Sequence, residues 1–142
     1  MTTTARDVAR YFLAIQDDEE AISNLKLQKL LYYAQGFSLA LTGEPLYTEQ
    51  IKAWIHGPVV PAVWHEYRHC GSGPIPRPTD LDRDAIDPAT RGLLDEVYSV
   101  YGQFSAWRLR EMTHAEPPWK NPPQSGVISR SEMERYFKTL TK

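Results

Sequence analysis

The chain has 142 residues, enough for one domain with one real core. Hydrophobic residues make up 42% and charged residues 24%, which is globular rather than disordered composition, and a net charge of −2 leaves no basic excess of the kind that nucleic-acid binding needs. One cysteine, Cys70, excludes an internal disulfide, and neither a signal-peptide core nor an apolar run of about 18 residues is present, so a cytoplasmic protein with no membrane association is expected.

Thr4 opens the first predicted helix, with Asp7 three residues on. Val8, Tyr11, Phe12 and Ile15 recur at helical spacing along one face. The acidic run Asp17-Asp18-Glu19-Glu20 ends it as solvated surface. Asn24 is placed as the N-cap of the second helix. There Leu27, Leu30, Leu31, Ala34, Phe37 and Leu41 form one stripe, and Tyr32, Tyr33, Gly36, Leu39 and Ala40 cover much of the rest. A helix apolar nearly all round is a buried central helix. Gly43 is its stop signal.

Residues 46–56 alternate weakly and predict a short extended element. Gly57 then turns the chain, and Pro58 and Pro61 suit the first turn of a third helix over about Val59 to His69. In that reading the tip at Gly57-Pro58-Val59-Val60 is either only a tight turn, the plainer reading, or a helix start whose free N–H groups could take a partner carboxylate. "CGSGPIPRP" (70–78) breaks the helix. Asp87-Pro88 starts a fourth, with Leu93, Leu94, Val97, Tyr98 and Tyr101 on its inner face and Gly102 at its end. Ser105 caps a fifth through about Thr113. "EPPWKNPP" (116–123) reads as rigid non-helical loop. Ser129-x-x-Glu132 is a capping box for the last helix, which sets Met133, Phe137 and Leu140 on one face. The expected fold is mainly α: a compact single-domain bundle, spanning 1–142, of about six helices, with at most a short β element near 46–56.

One string carries possible chemistry. "HEYRH" (65–69) matches H-E-x-x-H, in which His65 and His69 would hold zinc and Glu66 would act as general base of a hydrolase. Its context is poor. It sits at the end of a short helix, and no third ligand stands at a diagnostic spacing among His56, His114 and Cys70. The plainer reading is that His65, Glu66, Arg68 and His69 form a solvated face while Val63, Trp64 and Tyr67 point inward. No phosphate loop, G-x-S-x-G or Cys-x-x-Cys is present. Cys70 beside His69 lacks the geometry of an ion pair, since adjacent helical residues diverge. The expectation is no enzyme, no catalytic residue, no metal and no cofactor, with a zinc hydrolase as the alternative.

Three segments taken together are more specific: "LKLQKLLYYAQGFSLALTGEPLY" (25–47), "IKAWIHGPVVPAVWHEY" (51–67) and "LREMTHAEPPW" (109–119). In this order they resemble the Panacea domain of SocA-like antitoxins of bacteria and phages, and the similarity extends to "ISRSEMERYF" (128–137). The resemblance implies an all-α fold with a minor extended element. It also implies a cytosolic antitoxin that neutralises a neighbour-encoded toxin by direct protein–protein binding, or a variant of that role in which the domain delivers its partner to a protease. The pattern covers Trp54, Gly57, Pro58 and Val59 but does not call for His65 or His69. Candidate partner contacts are therefore Trp54, His56, Gly57, Pro58, Val59, His114 and Trp119. Trp119, in its Pro-braced loop, either packs on the fifth helix near His114 or anchors an interface. His114, near a helix C-terminus, is placed for positive charge.

The central-helix assignment makes a direct prediction. Leu31→Asp would bury an unpaired charge. Its far-UV circular dichroism should show no cooperative unfolding transition, whereas a surface helix would tolerate the change.

Overall fold

A computed structural model describes residues 3–17 and 21–141. Asp18, Glu19 and Glu20 of the acidic run lie outside the described residues. The helices are α1 (Ala5–Ile15), α2 (Asn24–Thr42), α3 (Pro61–Tyr67), α4 (Pro88–Tyr101), α5 (Ala106–His114), α6 (Pro117–Lys120) and α7 (Arg130–Lys138). Between α2 and α3 lies one antiparallel hairpin, β1 (Lys52–Trp54) and β2 (Gly57–Val59), in the register Lys52↔Val59, Ala53↔Pro58, Trp54↔Gly57. The chain is mainly α, as expected. Among the described residues no helix is long and apolar enough to cross a membrane.

Local chemistry explains most boundaries. Thr4 and Asp7 form a reciprocal capping box on α1. Ser23, one residue before the expected Asn24, caps α2: its hydroxyl accepts from the Lys26 N–H, and this releases the Asn24 amide to donate to the Trp64 carbonyl at 3.1 Å. Gly43 ends α2 in the left-handed region with φ 76°. Asp87 caps α4 with Pro88 behind it, and Ser105 and Ser129 cap α5 and α7. The box expected at Ser129 is half formed, because the Glu132 carboxylate takes the Asn121 amide at 2.5 Å.

Three expectations need correction. Gly57-Pro58-Val59 does not begin a helix: it is β2, and the Val60 N–H is taken by the Gln28 side chain at 2.9 Å. α3 therefore starts at Pro61, so the offered tip of free N–H groups does not exist at Gly57-Pro58. The "EPPWKNPP" loop contains a turn of helix, α6, because Pro117 and Pro118 occupy first-turn positions where no N–H is needed. Leu41 and Leu140 leave their stripes and stand 60% and 45% exposed, beyond the reach of the packed helices.

α2 runs through the centre. Leu27, Leu30, Leu31, Tyr32, Tyr33 and Ala34 are fully buried, with α1, α4, α5, α7 and the hairpin packed around them. α7 lies closest. Phe137 is fully buried and seats its ring over Gly36, where a Cβ would fall 2.2 Å from the ring. The ring meets Tyr32, Tyr33 and Phe37 edge-on. The segment before α7 also covers the outer edge of β1, with Ala53 and Ile128 N–H groups donating to the Gly126 and Ile51 carbonyls at 2.8 Å each.

Because any side chain at position 36 must displace Phe137, Gly36→Ala should cost about 1–3 kcal/mol of stability through overpacking. Phe137→Leu in the same chain should recover part of that loss in a double-mutant cycle read by thermal unfolding. Strictly additive losses would show that the two positions do not touch.

Candidate functional site

The residues marked out by the sequence gather at one corner, where the hairpin meets α5 and α6. Two exposed residues, Ile55 and His56, form the hairpin tip. Gly57 follows with φ +112°, and a Cβ there would come 2.5 Å from Lys29 Cε and 3.0 Å from Thr113 Oγ1. Glycine is needed here for both reasons, backbone sign and space. Behind it the Lys29 ammonium donates to the Pro58 carbonyl at 3.3 Å. On the other flank the Trp119 indole N–H donates to the Trp54 carbonyl at 2.7 Å. His114 stacks on Trp119 with ring centroids 3.9 Å apart and planes 12° apart, and takes the Ile55 backbone as its partner.

Of the seven expected contact residues, only His56 is exposed. Trp54, His114 and Trp119 are half-buried, and Gly57, Pro58 and Val59 are buried. Trp119 packs on the fifth helix, so of its two expected placements the structure takes the first. His114 departs from expectation. Burial, and then the charges of Arg110 and Lys29, hold its pKa below the usual range. These oppose the attraction of the helix C-terminus, and the ring stacks flat on the indole.

Beneath this corner lies a polar cluster that sequence reasoning did not single out. Glu116 is buried, and its carboxylate accepts from the Tyr32 and Tyr33 hydroxyls at 2.8 Å each, with Tyr136 as a further donor. Burial pushes the Glu116 carboxyl pKa up, while the three hydroxyls hold it partly down. The same burial and the Glu116 charge push Tyr101 and Tyr136 up to about 12. Burial, and then the Arg110 charge, bring Lys29 down to about 7. The available signal was the polar residues inside an otherwise apolar α2. Gln28, Lys29 and Gln35 sit where solvent cannot reach, so each must have a partner.

The zinc string does not assemble. α3 ends at Tyr67, and Arg68–Cys70 forms a 3-10 turn, so His65 and His69 do not share a helix. Both histidines are exposed. The Glu66 carboxylate is engaged by the Arg6 guanidinium, with 3.1 Å to each oxygen. Among the described residues no three His, Cys, Asp or Glu side chains converge where they could hold a metal ion. A catalytic zinc site needs three protein ligands, and these residues do not fit one.

The arrangement is thus a braced turn, with a hairpin tip held out by Trp119, His114 and Lys29. The family described as "Antitoxin SocA-like, Panacea domain" matches residues 27–120, from α2 through α6. The chain belongs to this SocA-like Panacea family. It is 54% identical over 110 residues to Antitoxin SocA of Caulobacter vibrioides, a similarity covering 69% of this chain and 58% of that relative. No solved structure matches the chain at a significant level. The match takes in every residue of the Panacea corner, Lys29, the hairpin, His114, Glu116 and Trp119 included. α1 and α7 lie outside it, although Phe12 and Phe137 complete the core.

Lys29 gives the site a pH signature. Its proton is held more weakly in the folded than in the unfolded state, so the unfolded state binds more protons between about pH 7 and 10.5. Stability should therefore rise with pH across that interval, by at most about 1.4 kcal/mol per pH unit. Between pH 7.5 and 9.5 the native chain should become harder to unfold relative to Lys29→Met, which carries the same tyrosines and so the same tyrosine contribution. Parallel urea-unfolding curves for the two proteins would refute the assignment.

Proposed function

We propose that this Panacea domain is an antitoxin, acting in the cytoplasm by binding a toxin encoded beside it and neutralising it through direct protein–protein contact. The family match over residues 27–120, joined to 54% identity with an antitoxin, is the observation that carries the reading. Such a protein works stoichiometrically. It needs no turnover, cofactor or nucleic acid, only a firm surface. A standard interface takes roughly 800 Å² from each partner. That is about a tenth of the 7469 Å² this chain exposes.

The corner suits that work by its rigidity. Pre-ordered surface loses little entropy on binding. In this reading Gly57, Pro58, Val59, Trp54, His114 and Trp119 set the shape of the corner from within, and His56 at the tip touches the partner.

Expressing the neighbouring reading frame alone should arrest growth, and co-expressing this chain should restore it. Glu66→Gln should rescue as well as the native chain, because Glu66 is engaged by Arg6 at the surface rather than by a metal. A neighbour that is harmless, or toxic and not rescued, would overturn the antitoxin reading.

A further inference from the structure

Between the hairpin tip, α3 and the start of α5 runs a groove of about 410 Å³. That is within the size range of side-chain and ligand pockets. Its floor and walls are largely apolar, with Trp64 on one side and Trp107 on the other. Trp107 is 63% exposed, and Ile55 beside the groove at the hairpin tip is 57% exposed.

The charge in the groove has one sign. Arg68 and Arg110 line it beside His56, and among the described residues no carboxylate does, although the chain as a whole carries −2. The Arg110 guanidinium lies over the Trp107 ring, 4.7 Å from its centroid, and its buried Nε makes no hydrogen bond with the described residues. Arg6, Arg10, Arg91 and Lys138 stand in ion pairs, whereas neither Arg68 nor Arg110 pairs with a carboxylate among the described residues. Behind Arg110 stand Lys29 and His114, and its charge repels both. His114 Nε2 is likewise buried without a partner. A guanidinium stacked on an indole, with no carboxylate partner among the described residues and lining an apolar slot, is complementary to a carboxylate carried beside an apolar group.

We propose that this groove docks a segment of the partner protein in which an aromatic or aliphatic side chain adjoins an aspartate or glutamate. The apolar side chain inserts between Trp64 and Trp107. The carboxylate takes the Arg110 guanidinium, with Arg68 and His56 at the rim. That the partner is a toxin rests on the antitoxin reading; the chemistry of the slot rests on the groove itself.

The test has two arms. In the first, a phage-displayed library of random dodecapeptides is panned on the immobilised native chain, with counter-selection on Trp107→Ala/Arg110→Glu. Enriched peptides should carry an acidic residue next to an aromatic or aliphatic one, and each single variant should weaken them at least tenfold. Peptides without an acid, peptides that bind the variants equally, or no enrichment would overturn the proposal. Because Trp107 is mostly exposed, Trp107→Ala should leave Tm unchanged. If Arg110→Glu lowers Tm, Arg110→Gln and the exposed Arg68→Glu carry the charge test. In the second arm, where the native chain rescues growth from its neighbour, Trp107→Ala and Arg110→Glu should lose that rescue, and full rescue by both would overturn the groove. Failure of the native chain to rescue would defeat the antitoxin reading alone, since the peptide arm still decides the groove.

Discussion

Helix α2 carries Asn24, Lys26, Gln28, Lys29 and Gln35 into the interior along with its leucines and tyrosines, and none of these polar groups can reach solvent. A buried polar group without a partner costs about 1–3 kcal/mol, so each determines where another segment must run. Lys26 takes the Gly102 carbonyl at the end of α4 at 2.6 Å. Gln28 takes the Val60 N–H and so aligns the start of α3. Lys29 takes Pro58 in β2. Gln35 bonds Tyr47 and Leu46, tying down the segment that leads to the hairpin. The rest of the fold is arranged around this helix because its hydrogen-bonding demands are specific in direction, which apolar contact alone is not.

The same demands build the corner where the hairpin meets α5 and α6. Glu116 follows α5 and reaches back to Tyr32 and Tyr33 on α2, which locks α5 and α6 to the central helix. That lock places His114 and Trp119 against the hairpin, where Trp119 holds the Trp54 carbonyl. Gly57 then lets β2 pass close over Lys29. A rigid tip results from groups that are themselves mostly covered. This explains how residues so prominent in the sequence pattern can be largely buried, while the surface they shape is carried by Ile55, His56 and Trp107.

Electrostatics divides the molecule unevenly. The acidic side chains Glu66 and Asp80 pair with Arg6 and Arg10 on α1, and Glu116 is engaged by tyrosines. Lys29, Arg110 and His114 are left near one another with no acid among the groups that shift the Lys29 and His114 pKa values. Burial makes that crowding more costly than it would be at a solvated surface. Each of the three is held by a contact of its own, Lys29 by the Pro58 carbonyl, Arg110 by the Trp107 ring and His114 by the Trp119 ring, which keeps them in place despite the crowding.

The sequence by itself determined the helix pattern. Capping residues Thr4, Asp87, Ser105 and Ser129 act within a few residues of themselves, so their signals survive without the fold. It also marked α2 as central, because only a helix surrounded by protein can be apolar all round. The three conjoined segments were enough to point to the Panacea family. Tertiary structure alone decided the rest. Pro58 belongs to a strand because β1 and Gln28 supply its neighbours with partners. α6 forms because Glu116 is held at its start by two tyrosines more than eighty residues away in sequence. "HEYRH" is not a metal site because α3 stops two residues short of His69 and Arg6 claims the glutamate. The groove too escaped the linear reading: its walls come from the hairpin, α3 and α5, and the one-sided charge exists only once these are folded together.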